Sequence, residues 1–341
     1  MSADTSFALP LLDLRRLDGD AATRAGFLAE LRAAARDVGF FYLAGHGVDP
    51  ALEAAVVAEA NRFFALPDAD KLAVQMVHSP HFRGYNRAGQ ELTRGQQDWR
   101  EQFDIHAERE PWPQTPGAPA WTRLQGPNQW PAAQPGLRTA LLAWQAALTQ
   151  VAIRVVSAFA EALEQSPDAL AAIYDGSPNQ TMKIIRYPGR DAAESDQGVG
   201  AHKDSGLLTL LLQDAVGGLQ VQGRDGWIDA VPVPGTFVVN IGELLELASN
   251  GYLRATVHRV VSPKGRDRLS VAFFLGARLD ATVPVLTLPP HLAAEATGPT
   301  ADPDNPLFRN VGENYLKGRL RSHPDVAQRH HADLLQPAAT P

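Results

Sequence analysis

An α+β fold, with helices packed outside an all-β core at roughly residues 180–280, follows from three observations. Beyond Thr181 the chain breaks into short apolar runs, MKIIRY, LTLLLQ, GLQVQ, GWIDAV, TFVVN, HRVV and RLSVAFFL. Gly, Pro, Asn or Asp clusters such as Pro188-Gly189, Gly217-Gly218, Pro234-Gly235 and Asn250-Gly251 separate them. Regularly spaced strands with turn signals imply an antiparallel sandwich or barrel. Ahead of them, Leu137, Leu141, Trp144, Leu148, Val151, Val155, Phe159 and Leu163 recur at steps of three and four, predicting a long helix from Gly136 to about Gln165 that backs a sheet. The first 110 residues alternate helical and strand-like patterns.

In chain order, Asp18 and Asp20 are candidate N-caps for a helix carrying Phe27, Leu28, Leu31, Ala35 and Val38. Gly39 ends it, and Phe40-Phe41-Tyr42-Leu43 reads as a buried strand. Asp49-Pro50 is a second helix start, a capping carboxylate followed by proline at the first helical position. That helix runs through Leu52, Val56, Phe63 and Phe64 to Pro67. Residues 111–135 are rich in Pro, Gly, Gln and Trp and read as loop. There is no internal repeat.

The chain has 341 residues, 45% hydrophobic, enough for a large core. A net charge of −7 argues against nucleic acid or an anionic membrane as partner, because phosphate binding needs a basic face. With no cysteine, disulfides, thiolate nucleophiles and Cys-ligated metal sites are excluded. The opening MSADTSFALPLLDL lacks the basic and apolar regions of a signal peptide, and no window approaches 18 apolar residues without charge. A cytoplasmic, monomeric protein is the expectation.

Chemistry concentrates in three places. His202 and Asp204 lie two apart, so on a strand they share a face while Lys203 points away. His258 supplies a third ligand from a later strand. Any one of these residues alone reads as an ordinary hydrogen-bonder; together they offer three ligands on one face of an octahedral ion, which suits Fe(II). Arg268 and Ser270 repeat the two-residue spacing, and a planar guanidinium beside a hydroxyl is a carboxylate anchor. Without the upstream triad, Arg268 would read as a surface residue of a hairpin. Tyr187, at the end of MKIIRY, can add a phenolic hydrogen bond.

These motifs resemble those of the iron(II)- and 2-oxoglutarate-dependent oxygenases of the isopenicillin N synthase-like superfamily. LPLLDL, GFFYLAGHGV, FFALPDADK and FRGY resemble its N-terminal region. GLLTLLLQD, the segment from Asp225 to Pro263, and RLSVAFFL resemble its catalytic barrel, and GENYLKGRLRSHP the tails of bacterial members. Lys203 stands where a Thr is common. The resemblance implies a double-stranded β-helix (jelly-roll) core with flanking helices. It divides the chain into an N-terminal region (1–115), a loop and backing helix (116–180), a catalytic β-core (181–285) and a tail packing on it (286–341). It further implies that His202, Asp204 and His258 bind Fe(II), and that Arg268, Ser270 and Tyr187 hold the far carboxylate of 2-oxoglutarate. O2 is the second co-substrate and ascorbate a candidate reductant. The reaction implied is oxidation, foremost hydroxylation, of an unactivated C–H bond in a small molecule, with release of succinate and CO2.

For the substrate, Arg83, Tyr85, Phe103, Asp104 and Phe274 are the candidates, and an Arg with an Asp would suit a zwitterionic or polar molecule. His330-His331, Glu243 and Glu246 read as solvated, and His46 as packing. Two other readings stand beside the first: an oxidase of the same fold that uses no 2-oxoglutarate, and a non-enzymatic ligand-binding barrel.

Overall fold

The structure is a computed structural model that describes residues 9–189, 196–300, 302 and 305–335. In chain order the first strands are β1 (Leu11–Asp13), β2 (Phe40–Ala44), β3 (Gly84–Asn86), β4 (Leu92–Thr93), β5 (Gln96–Gln97), β6 (Glu101–His106) and β7 (Asn179–Tyr187). The rest are β8 (Gln197–His202), β9 (Leu208–Gln213), β10 (Leu219–Gln222), β11 (Trp227–Asp229), β12 (Phe237–Ile241), β13 (His258–Val261) and β14 (Arg268–Gly276). Eight form one sheet in the order β1-β2-β12-β9-β14-β7-β6-β3, four form a second in the order β11-β10-β13-β8, and β4 pairs with β5. Apart from parallel β1 and β2, the pairings are antiparallel. The two sheets enclose the interior of a jelly roll.

Alternation along the strands divides the molecule into two cores. On β14, Val271, Phe273 and Leu275 join the larger core on the outer face of the big sheet, whereas Ala272 and Phe274 join the smaller one between the sheets. The outer core is filled by α1 (Ala21–Asp37), α2 (Pro50–Phe64), the short α3 (Asp68–Ala73) and above all α4 (Pro135–Ala162). Asp20 caps α1 through Thr23 N at 2.8 Å, and Asp49 caps α2 through Ala51 N, with Pro50 pre-set for the first turn. At φ +75°, Gly39 lets the chain leave α1; a Cβ there would stand 2.3 Å from Arg254 O.

By length and composition α4 is apolar enough to cross a membrane, although Arg138 and Arg154 interrupt it. Its Leu137, Leu141, Trp144, Leu148, Val155 and Phe159 are instead buried in the outer core, Trp144 edge-on to Phe237 at 5.8 Å. Helix α5 (Glu243–Ala248) follows β12, and α6 (Pro290–Ala293), α7 (Val311–Ser322), α8 (Pro324–His330) and α9 (Ala332–Leu335) complete the described chain. α7 buries Val311, Asn314, Tyr315 and Leu316.

The register also arranges the inner face in rows. One row runs Asn240, Thr209, Phe274, Thr181, His106 across β12, β9, β14, β7 and β6. The next runs Val238, Leu211, Ala272, Lys183, Asp104, and a third Gln213, Ser270, Ile185, Gln102, Asn86. Arg268 opposite Tyr187 forms the fourth.

Candidate active site

His202 ends β8 and His258 begins β13, and the two are direct cross-strand partners, with ring centroids 4.3 Å apart. Asp204 lies just past the strand end, so its approach to His202 depends on the turn after β8 rather than on strand alternation alone. Its Oδ1 is 3.5 Å from His202 Nε2 and 3.6 Å from His258 Nε2. One ligand atom from each of the three falls within 4.8 Å of the others. Lys203, between the ligands, turns away and pairs with Glu246 at 3.1 Å.

Neighbouring groups fix which atoms face the centre. His202 Nδ1 lies 2.8 Å from Gly200 O, and His258 Nδ1 3.1 Å from Thr256 O. A carbonyl only accepts, so both Nδ1 atoms carry the proton and both Nε2 atoms present a lone pair. Asp204 Oδ2 accepts from Thr209 Oγ1 at 2.5 Å and Asn240 Nδ2 at 2.8 Å, leaving Oδ1 for the centre. Burial works against ionising Asp204, but His258 and His202 overcome it and hold the carboxyl well below its usual range. Burial, reinforced by His202, pushes His258 down to about 4. Burial also opposes charge on His202, yet the adjoining Asp204 carries it above the ordinary value. The trio is thus an ionised carboxylate with two imidazoles that turn their Nε2 atoms toward it, a donor set that fits a divalent cation with open positions, Fe(II) in particular.

A second feature of the interior is Arg268, 1% exposed and stacked over the Tyr187 ring at 4.7 Å. Its Nη1 reaches Ser270 Oγ at 3.5 Å and its Nη2 Gln213 Oε1 at 3.2 Å, while its Nε has no partner. Among the described residues no carboxylate pairs with it, so a buried guanidinium awaits an anion. Gly218, at φ +105°, lets the chain pass close by: a Cβ there would sit 2.6 Å from Val261 O and 3.8 Å from Arg268 Cδ. From His258 to Val261 is three strand residues, about 10 Å. A five-carbon dicarboxylate, chelating at one end and hydrogen-bonded at the other, matches that span.

The substrate candidates divide. Tyr85 and Phe103 face the outer core, Tyr85 donating to Glu101 at 2.6 Å and Phe103 packing on Phe63 at 4.8 Å; neither reaches the interior between the sheets. Alternation puts their neighbours Gln102 and Asp104 there instead. Arg83 is buried and held by His81 O and Leu124 O. Asp104 is buried inward against Arg319 and Lys183, and Phe274 faces the interior in the Thr209 row.

The expectation of solvated groups fails in two places. Glu246 is buried, bound to Lys203 and accepting from Ala255 N, while burial pushes Glu243 up to about 7 against the pull of Lys203 and Lys317. His331 is buried and stacked on Phe82 at 5.1 Å, with Nε2 on Pro80 O, and His330 is half-buried against Val77 O. His46 packs on Phe237 at 4.2 Å. Sequence reasoning misses Thr209, Asn240 and Gln213. The one signal available for them is a buried-strand Asn in TFVVN.

Comparison with known proteins gives this geometry its context. Residues 9–133 match the N-terminal family described as non-haem dioxygenase in morphine synthesis, and residues 178–277 match the 2OG-Fe(II) oxygenase superfamily. The 2-oxoglutarate-dependent dioxygenase frbJ of Dothideomycetidae sp. is 37% identical, covering 94% of this chain and 91% of its own. A homoarginine-6-hydroxylase of Arabidopsis thaliana is 35% identical over 82% and 88%. A full-length Neurospora crassa protein, solved in complex with alpha-KG, superimposes with a TM-score of 0.75 at 26% identity over 93% and 97% of the two chains. The chain belongs to the 2OG-Fe(II) oxygenase superfamily. It is a non-heme iron, 2-oxoglutarate-dependent dioxygenase that hydroxylates a C–H bond with release of succinate and CO2.

Proposed function

We propose that His202 Nε2, His258 Nε2 and Asp204 Oδ1 hold the Fe(II), and that Arg268, Ser270 and Tyr187 hold the far carboxylate of 2-oxoglutarate. The observation that carries this is the convergence of two inward Nε2 atoms and one free carboxylate oxygen on a single point. The bound iron with 2-oxoglutarate supplies the oxidising chemistry, in which one oxygen atom of O2 enters succinate and the other the C–H bond. The protein's own part is positional. Thr209 and Asn240 fix the rotation of Asp204, and the Gly200 and Thr256 carbonyls fix both imidazole tautomers. Arg268 orients the co-substrate through its fork, with the Tyr187 ring beneath it. Val199, Leu219, Val221 and Val260 of the small sheet keep water from the slot between.

The substrate is a small polar molecule. Supporting this are the polar inner residues of β6 and β7 and the relatives' own ligands: one is named a homoarginine hydroxylase, and the Neurospora crassa protein was also solved with thymine. The presence of both family regions in one chain supports placing it in the isopenicillin N synthase-like branch. Anaerobic titration of the metal-free protein with Fe(II) should show one equivalent bound, lost in Asp204→Ala and His258→Ala together with succinate formation from 2-oxoglutarate. Wild-type iron affinity in both variants would refute the assignment.

A further inference from the structure

The inner face of β6 and β7 carries two buried charges, Asp104 and Lys183, which meet four more from neighbouring segments. Asp104, Lys183, Glu91, Asp98, Arg100 and Arg319 are packed into one buried cluster. It is tied to the metal centre: Asp98 Oδ1 accepts from Gly200 N at 3.0 Å, and Gly200 O accepts from His202 Nδ1 at 2.8 Å. The row register puts Lys183 one strand, and Asp104 two strands, from Ala272 on β14, about 5 and 10 Å to the side of the slot between iron and Arg268.

Most of the cluster is internally satisfied. Glu91 is met by Arg100 at 2.7 Å and Lys183 at 3.2 Å. Asp104 Oδ2 is met by Arg319 at 3.2 Å and Lys183 at 3.4 Å. Gln102, beside it on β6, is not. It is 0% exposed, and neither its Oε1 nor its Nε2 has a partner. Two residues along the same face, Asp104 Oδ1 is also buried and unpaired. A buried amide open at both ends is costly unless something binds it. Together these atoms offer two acceptors and one donor on adjacent inward positions.

We propose that Gln102 and Asp104, braced by Lys183 and Arg319, form the recognition subsite for the polar head of the substrate. That head carries N–H donors beside a carbonyl or carboxylate acceptor, the chemistry shared by free amino acids and amides. The inference rests on the metal and co-substrate assignments above. Charge narrows it further. The cluster's three cations (Arg100, Lys183, Arg319) balance its three carboxylates (Glu91, Asp98, Asp104), and burial keeps His106 and His323 neutral. A head that is a cation alone would upset that balance; a zwitterion or a neutral amide does not.

The test uses the protein loaded with Fe(II) and 2-oxoglutarate under anaerobic conditions, titrated calorimetrically with free amino acids, with amides, and with matched alcohols lacking N–H. At least one amino acid or amide should saturate a single site. Gln102→Met should weaken that binding roughly tenfold to a hundredfold. It should leave 2-oxoglutarate affinity unchanged and the melting temperature unchanged or higher, because an unpaired amide has gone. Asp104→Asn separates the two sources: it weakens an ammonium-bearing ligand much more than a neutral amide. Undiminished binding to Gln102→Met, a lower melting temperature in that variant, or equal binding of the alcohols would overturn the proposal. If 2-oxoglutarate binds while no N–H ligand does, only this inference fails. If 2-oxoglutarate itself does not bind, the co-substrate assignment fails.

Discussion

Replacing Arg268 with Met should make the co-substrate bind worse and the empty protein more stable. The guanidinium is 1% exposed and rests on an aromatic ring, two neutral oxygens and no carboxylate among the described residues. Removing one member of a buried, hydrogen-bonded charge pair costs about 2–5 kcal/mol; at about 3 kcal/mol the dissociation constant for 2-oxoglutarate rises roughly a hundredfold to two-hundredfold. Without ligand the same charge is buried and unpaired, so an apolar side chain of similar length should stabilise the fold by about 1–4 kcal/mol. Calorimetric titration of the anaerobic iron-loaded protein and thermal melts of the metal-free protein give both signs. A 2-oxo acid lacking the far carboxylate serves as control, because its affinity should not respond to the substitution. Arg268→Lys should fall between, since an ammonium supplies the charge without the fork. Equal loss for both acids, or unchanged affinity for 2-oxoglutarate, would refute the anchor.

Thr209→Val and Asn240→Leu each remove a donor from Asp204 Oδ2 and should lower iron affinity about 10–100-fold, measured by competition with a chelator. Trp144→Ala, at the centre of the outer core, should cost about 3–5 kcal/mol in denaturant unfolding with little change in iron affinity. Burial pushes His323 down to about 4 against the pull of Glu91. Its folded value therefore lies below the unfolded value of about 6.5, so its contribution is complete above that pH and is lost as pH falls toward 4. Between pH 8 and pH 5 the metal-free wild type should lose about 2 kcal/mol more stability than His323→Asn. Parallel pH profiles would show that folding leaves the His323 pKa at its unfolded value and would refute this reading.

The catalytic half of the molecule is legible in the chain because its signals are local. Strand runs such as RLSVAFFL and TFVVN are apolar on both faces, and turn residues mark their ends. The two-residue spacing of Arg268 with Ser270 carries its own geometry within one strand, whereas that of His202 with Asp204 is completed by the turn after β8. The pairing of His202 with His258 joins distant strands and is invisible to periodicity. β6 does not read as a strand, because EQFDIH has too many polar residues for an apolar run. Gln102, Asp104 and His106 face inward, while Glu101 lies on the other face with Phe103. That reversal explains the misplaced substrate candidates: the aromatic Tyr85 and Phe103 look like pocket walls but belong to the helix-backed core, while Gln102 looks like a surface residue. The burial of Glu246 and His331 depends on contacts with Lys203 and Phe82, more than 40 residues away in the chain.

Burial alone does not distinguish binding groups from structural ones in this interior. Arg100 and Lys183 are enclosed much as Arg268 is, but each meets carboxylates that neutralise it. Arg268 and Gln102 are enclosed and open. They occupy different strands of the same inner face, Arg268 opposite Tyr187 and Gln102 opposite Ile185, one row apart. Ala272 and Ile185, among the residues between them, are apolar and need nothing, and Lys183 beside Ala272 is already paired with Glu91 and Asp104. Unpaired polar atoms separated by inert ones allow two ligands to be held independently and to meet only at the iron, so a change at β6 can alter the choice of substrate without disturbing the co-substrate on β14.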